Sequence, residues 1–416
     1  MKMLEDSNSE PPPVSPVNPD RKSGSMPQLF SVLLSLFLVL FLADAILSLA
    51  DDSLILFFGV NFLTISRFII GIVAVLASVL IYILIGLTPL IPKRLFIPLT
   101  LFTPFAMLAT FALLIYFFGH AALIGWSISL CQVLLGLLIL GLSQDGLKMR
   151  WPLVSEGQLG NVGFSWWNLS GFVLVNLFVL PPAVVVYLFI CASLAVNHFT
   201  DGFMVLRPGG FVVQVKKYVR SDGKTIELFP MSHVADAIFY KQVSQSFPTN
   251  SIILMEGVTD ANNLLTNKLS YKRMARSLGL TEQKKEFVPS RGEMVRADVD
   301  VDIFTPDTIK VLNLVTLIHS RDLSPGTIQQ LVQISPTPHL QDELFDDLLR
   351  KRNDHLLGEI QSHLLASENI MIPWGVAHMP GISKEIQKSG FKLDQTQEYM
   401  VIQFRGFWNR KDGVGR

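Results

Sequence analysis

The sequence predicts an N-terminal α-helical transmembrane bundle of about five spans followed by a C-terminal α/β domain with a mixed, partly parallel sheet. Three observations predict it. Hydrophobic residues make up 50% of the 416 residues and the mean hydropathy is +0.43, too apolar for an ordinary soluble chain of this length. Charge is unevenly divided, with 7 charged residues in 1–28, 10 in 29–197 and 51 in 198–416. From about residue 198, short β-type runs alternate with amphipathic stretches, the pattern of an α/β domain. The chain therefore divides into 1–28, 29–197 and 198–416. Lys+Arg and Asp+Glu balance at 34 each, so there is no overall basic field to draw in nucleic acid. Cys131 and Cys191 each lie inside an apolar run, which excludes a disulfide scaffold and a zinc ribbon.

Residues 1–28 are rich in Pro, Ser and Asn and have almost nothing to bury, which predicts a disordered tail. Apolar runs at about 29–50, 67–91, 95–119, 121–144 and 170–197 each reach the roughly 20 residues that a helix needs to cross a bilayer. Ser53 to Ile65 is apolar but short, and reads as an interfacial or re-entrant piece. Lys2, Arg21, Lys22, Lys93, Arg94, Lys148 and Arg150 fall on one face of this arrangement and Arg67 on the other. The positive-inside rule then puts the tail in the cytoplasm. An odd number of spans puts the C-terminal half on the outer side, periplasmic at a bacterial inner membrane. Ser48-Leu49-Ala50 resembles a signal-peptidase site, but the preceding apolar run is longer than a signal h-region, so an uncleaved anchor is expected. Asp44 is the one acidic candidate within the spans. Pro181-Pro182 should kink the last span, and Trp166 and Trp167 fit an interfacial belt. No paired broken helices or ion relay suggest a transporter.

In the C-terminal half, Phe211 to Val215 and Thr225 to Phe229 read as strands around a turn at Ser221-Asp222-Gly223. Val234 to Phe247 reads as a helix, Ser251 to Met255 as a buried strand, and Asn262 to Leu278 as a helix stopped by Gly279. Pro306 opens a further helix, and Gln341 to Leu365 forms a long charged one. Asn369 to Trp374 is a strand, Gly381 to Ser389 a short helix, and Phe391 to Phe404 supplies closing strands.

Three residues stand where the chemistry of an open α/β sheet gathers, just beyond strand ends. His233 follows the strand ending near Phe229, Glu256 follows Met255, and His378 follows the strand ending at Trp374. Two imidazoles and a carboxylate form a plausible set of ligands for a divalent metal with room left for water.

The region 224–405 resembles the TraB and Tiki proteins, related to the GumN group, whose signature pairs two Gly-x-x-His motifs with a glutamate and an arginine. Gly375-Val376-Ala377-His378 followed by Pro380-Gly381 matches the second motif, Met255-Glu256 the glutamate and Arg352-Asn353 the arginine element. Arg296-Ala297-Asp298-Val299-Asp300 is also similar to sequences of that group. The first motif reads Pro230-Met231-Ser232-His233, with Pro where the family has Gly. The resemblance implies a metal-dependent, peptidase-like hydrolase using manganese or cobalt, with zinc as a further option. His233, Glu256 and His378 would hold the metal. Glu256 would otherwise be the general base, and Arg352 would hold a substrate carboxylate or oxyanion. The substrate would be a peptide or small molecule at the membrane surface.

Two other readings share these residues: metal-free hydrolysis by His and Glu, and a non-catalytic module that sequesters a peptide signal, a metal or haem. A degenerate aqueous half is a further option, encouraged by Pro230. The oligomeric state is left open. Elsewhere, bland readings prevail. Arg352 fits a solvated helix face nearly as well as a site. His355, Glu359 and His363 share a helix face without spelling a metal motif. Asp298, Asp300 and Asp302 alternate and could line one strand face, toward solvent or toward a cation, with solvent the expectation. His319 and His339 flank loops, and His120 belongs to the turn between two spans.

Overall fold

A computed structural model describes residues 25–144, 150–160, 163–266, 271–320 and 338–404. Most of the predicted tail, together with Lys148, lies outside these residues. The chain forms two compact units, Met1–Val186 and Tyr187–Arg416, each described separately below.

Among the described residues, four helical stretches are long and apolar enough to cross a membrane: Met26–Phe58, Thr64–Leu87, Lys93–Ser143 and Trp166–Phe199. The third is divided by a single 3-10 turn at Phe118–His120 into α3 (Lys93–Phe117) and α4 (Ala121–Ser143). These two pack against each other, and α1 (Ser25–Phe58) packs on both α4 and α2 (Thr64–Leu87). His120 thus sits in the expected turn. The buried stripe Leu34, Leu38, Phe41 and Ala45 of α1 recurs every three or four residues, the period of one helix face. Outward helix faces carry large apolar side chains such as Ile65 and Phe68, 77% and 67% exposed. Small residues permit close approach, as is usual between membrane helices. A Cβ on Gly86 would stand 2.5 Å from the Phe172 ring.

Two expectations are corrected in this unit. Ser53 to Ile65 is no separate re-entrant piece: Ser53–Phe58 completes α1, Gly59 with φ +67 breaks it, and α2 begins at Thr64. Nor is Asp44 the lone acidic group. Asp51 and Asp52 also lie in α1, and both are buried. Arg67 of α2 donates to Asp52 and, at 3.4 Å, to Asp51, while Ser129 of α4 also donates to Asp52. Gln132 donates to Asp44 at 2.8 Å. The signal-peptidase-like Ser48-Leu49-Ala50 is an interior segment of the same helix. Arg67→Met would leave the two buried carboxylates without their guanidinium, and a loss of about 3 kcal/mol is expected. Thermal unfolding of the detergent-solubilised protein checks this; an unchanged midpoint would refute it.

The last stretch consists of α5 (Trp166–Leu174), a π turn at Val175–Val179 and α6 (Leu180–Phe199). Pro181 and Pro182 explain the widened turn. Their rings clash with carbonyls one turn earlier and their N–H groups are missing, so the preceding helix opens.

In the second unit, the sheet order is β1-β2-β3-β8-β5-β7, with β9 on the other edge of β2. The strands are β1 (Met204–Arg207), β2 (Gly210–Val219), β3 (Thr225–Met231), β5 (Ile252–Met255), β7 (Glu293–Arg296), β8 (Asn369–Gly375) and β9 (Lys392–Gln403). A separate pair joins β4 (Val234–Ala235) and β6 (Thr281–Glu282). β3, β8, β5 and β7 are mutually parallel, whereas β1, β3 and β9 run antiparallel to β2. The mixed, partly parallel sheet is as expected.

Period-2 alternation sorts the strands' apolar residues onto two faces. Ile226, Leu228, Leu254, Ile370, Ile372 and Trp374 pack with Leu356, Ile360, Ile382 and Ile386. Those partners come from the helices Lys351–His363 and Met379–Lys388. Phe229, Met231, Ile253 and Met371 pack on the other side with Phe239, Tyr240 and Val243, from the helix Ala237–Ser246. This gives three layers with the sheet in the middle. The predicted helix Asn262 to Leu278 is shorter: Lys272–Ser277 is helical, and the described residues from Asn262 to Thr266 are not. Gln341 to Leu365 is helical through a π turn at Asp346–Arg350.

Candidate active site

Four parallel strands end side by side, and each delivers a polar residue just past its carboxyl end. β3 leads to His233, β8 to Gly375 and His378, β5 to Glu256, and β7 to Asp298. Arg352 and Asn353 reach the same place from the first turn of the helix Lys351–His363. Pro230, where the resembled family has Gly, is extended and buried in β3 opposite Trp374.

Arg352 is the centre of the arrangement. Its Nε donates to Asp298 Oδ1 at 3.0 Å, and Nη2 donates to Asp298 Oδ2 at 2.6 Å and to Glu256 Oε1 at 2.8 Å. Nη1 faces His378 Nε2 at 3.1 Å and the Leu348 carbonyl at 3.3 Å. A guanidinium has five N–H donors, and each has an acceptor here. The cation also lies over the Trp374 ring, 5.4 Å from its centroid. Arg352 is thus a buried member of the site rather than part of a solvated helix face.

The tautomer of His378 follows from its partners. Arg352 cannot accept, so Nε2 must carry the lone pair, and Nδ1–H donates to Asn353 Oδ1 at 2.7 Å. Burial lowers the His378 pKa to about 4, with the Arg352 guanidinium the next cause; Glu256 and Asp298 oppose it, and His233 adds a small lowering. The ring is therefore neutral at physiological pH. Glu256 is held at both oxygens, Oε1 by Arg352 and Oε2 by the Gly375 N–H at 2.6 Å. A Cβ at 375 would lie in van der Waals contact with Glu256, 3.4 Å from Oε2. A Cβ on Gly381 would come within 2.7 Å of Asn353 Nδ2. Gly381 thus leaves room for Asn353, the partner of His378.

Of the four residues singled out from sequence, Glu256, Arg352 and His378 meet directly. His233 is exposed beside them, with its ring stacked on Tyr271 at 4.9 Å between centroids. Burial and Glu256 both push the Tyr271 phenol pKa up. Asp298 corrects an expectation. Its side chain is fully buried on Arg352, and its Oδ2 also accepts from the Gly257 N–H at 2.9 Å. The available signal was positional, because Asp298 follows β7 much as Glu256 follows β5. Asp300 instead accepts from Thr259 and from the backbone of Ala261 and Asp302. His355 and His363 flank Glu359 at 3.9 and 3.5 Å on their helix, away from the strand ends. A cavity of about 670 Å³ lined by Asp201, Ser383, Lys384 and Lys388 meets this cluster only at Gly381, so geometry and chemistry rather than concavity identify the site.

His378 Nε2 and Glu256 Oε1 are 3.7 Å apart, close to the separation of two ligands on one ion with bonds of about 2.1 Å. The place between them is taken by the Arg352 guanidinium, and among the described residues no group of three or more His, Cys, Asp or Glu is gathered to hold an ion. As arranged, the residues do not fit a resident metal.

The His378 shift has a consequence for stability. With a folded pKa of about 4 below an unfolded value of about 6.5, the unfolded chain binds the proton first as pH falls. The contribution is fully present above pH about 6.5 and is lost as pH drops toward about 4, amounting to about 3 kcal/mol. His378→Gln should flatten the acid limb of an unfolding midpoint against pH plot; identical limbs would contradict the assignment.

No family model, curated protein or solved structure matches the chain.

Proposed function

We propose that the C-terminal unit is a membrane-anchored hydrolase of the TraB/Tiki kind, acting on a peptide or small molecule at the membrane surface. The observation that carries this reading is the convergence of Glu256, Arg352 and neutral His378 at the carboxyl ends of parallel strands. Glu256 and His378 present acceptors 3.7 Å apart, which suits them to orient a water and take its proton. Arg352 supplies the positive charge beside them. It has no N–H to spare, so contact with a substrate oxyanion exchanges one of its two longest bonds, to His378 Nε2 or the Leu348 carbonyl. Exposed His233 stands at the rim, where a substrate arrives.

The metal-dependent form, with manganese, cobalt or zinc on His233, Glu256 and His378, is the second reading. It is favoured by the His378–Glu256 separation and requires Arg352 to withdraw. A sequestering module is the reading from another class, and product formation separates it from an enzyme. For topology we propose five spans, α1, α2, α3, α4 and the α5–α6 stretch, with the C-terminal unit on the outer, periplasmic side. A reporter fused after Arg416 that is active only in the cytoplasm would overturn that orientation.

The direct test is hydrolysis of a panel of peptides, esters and amides by the full chain in detergent. Turnover in the wild type that falls about 100-fold or more in His378→Ala, with His355→Ala unchanged, is expected. Turnover indifferent to His378, or binding without product, would reject the enzyme.

A further inference from the structure

We infer that Arg352 is the permanent cation of this site and takes the place that a divalent metal would hold, so that the wild-type centre works without one. The inference deepens the hydrolase reading but uses only the geometry of the cluster. A divalent ion shared by His378 Nε2 and Glu256 Oε1 would sit where the guanidinium already bridges them, 3.1 Å from one and 2.8 Å from the other. Arg352 is not a loose side chain that swings aside at no cost. All five of its N–H groups are satisfied, two of them by the bidentate Asp298 carboxylate, and its charge lies over the Trp374 ring.

Asp298 is the residue that makes this arrangement specific. Its side chain is fully buried, and both of its oxygens are taken, Oδ1 by Arg352 Nε and Oδ2 by Arg352 Nη2 and the Gly257 N–H, so it anchors the guanidinium. A fork-on-fork pair fixes the guanidinium plane as well as its charge. Charge balance points the same way. One guanidinium between two carboxylates and a neutral imidazole leaves a single negative charge. An added divalent ion would meet the guanidinium as a like charge at short range and reverse that balance. Lysine is not an equivalent, because an ammonium has no planar fork to make the two parallel bonds to Asp298.

The test is metal content, read independently of turnover. Full-length protein in detergent is stripped with chelator, soaked in manganese, cobalt or zinc chloride, desalted and measured by elemental analysis beside His378→Ala. Wild type and His378→Ala should retain the same metal, and chelator should leave the wild-type unfolding midpoint unmoved. Removing the guanidinium in Arg352→Ala should create uptake approaching about one equivalent, absent from the Arg352→Ala/His378→Ala double variant. Where Arg352→Ala does not fold, Arg352→Gln keeps the volume without the charge and is measured instead. About one equivalent in the wild type, lost in His378→Ala, would overturn the inference. So would a folded charge-free variant at 352 that gains nothing. A metal-free wild type with no detectable hydrolysis would leave this inference standing and remove only the hydrolase reading.

Discussion

Arg352→Met is expected to destabilise the C-terminal unit by about 3–5 kcal/mol, because it leaves two buried carboxylates, Glu256 and Asp298, facing each other without a cation. Methionine keeps most of the side-chain volume, so the loss reports charge rather than a cavity. The companion Arg352→Met/Asp298→Asn removes one of the stranded charges and should recover part of the loss. Denaturant unfolding with hydrogen-exchange protection of β5 and β8 checks both variants. A single variant as stable as wild type would show that the cluster is not held by this pairing.

The second large effect is on turnover. Glu256→Gln keeps size and shape but not the proton acceptor, and a fall of about 10²- to 10⁴-fold is expected in any hydrolysis that the wild type performs. The same change also mismatches donors. Glu256 accepts from Gly375 N–H on one oxygen and from Arg352 on the other, whereas an amide has one oxygen and must turn its NH₂ toward one of those donors. A stability loss of about 1–3 kcal/mol should accompany it. Measuring both quantities separates the roles: stability lost with turnover kept would make Glu256 a structural carboxylate and not a base.

Much of the site was legible because its residues follow strands that announce themselves. β5 and β8 are continuous apolar runs, so Glu256 and His378 stand out as the first polar groups after buried backbone. Asp298 was visible as a residue but not as an inward one, because β7, Glu293–Arg296, is short and largely polar and shows no buried face. Arg352 lay in a run of charges where periodicity does not distinguish an inward position from an outward one. In the helical unit, apolar composition runs smoothly across Phe58 and Thr64, so the break set by Gly59 is a matter of backbone conformation rather than hydropathy. The pairing of Asp51 and Asp52 with Arg67 joins two helices across a turn, and no single-helix pattern records it. The failed helix at Asn262 shows the reverse error, where polar spacing compatible with a helix is not matched by a face to bury.

The place of β8 in the sheet also governs when this site can exist. It lies between β3 and β5 and pairs with residues 144 positions earlier, as at Thr225 and Asn369. β9 likewise returns to β2 across 184 positions, as the register of Gln214 with Glu398 shows. A ribosome thus delivers β1, β2, β3, β5 and β7 while the central slot of the sheet is still empty and two strand edges face it unpaired. Such edges are open to wrong partners, and long-range pairings of this kind form slowly. His378 and the Gly375 N–H that holds Glu256 arrive with β8, so the cluster cannot be complete until that strand fills its slot.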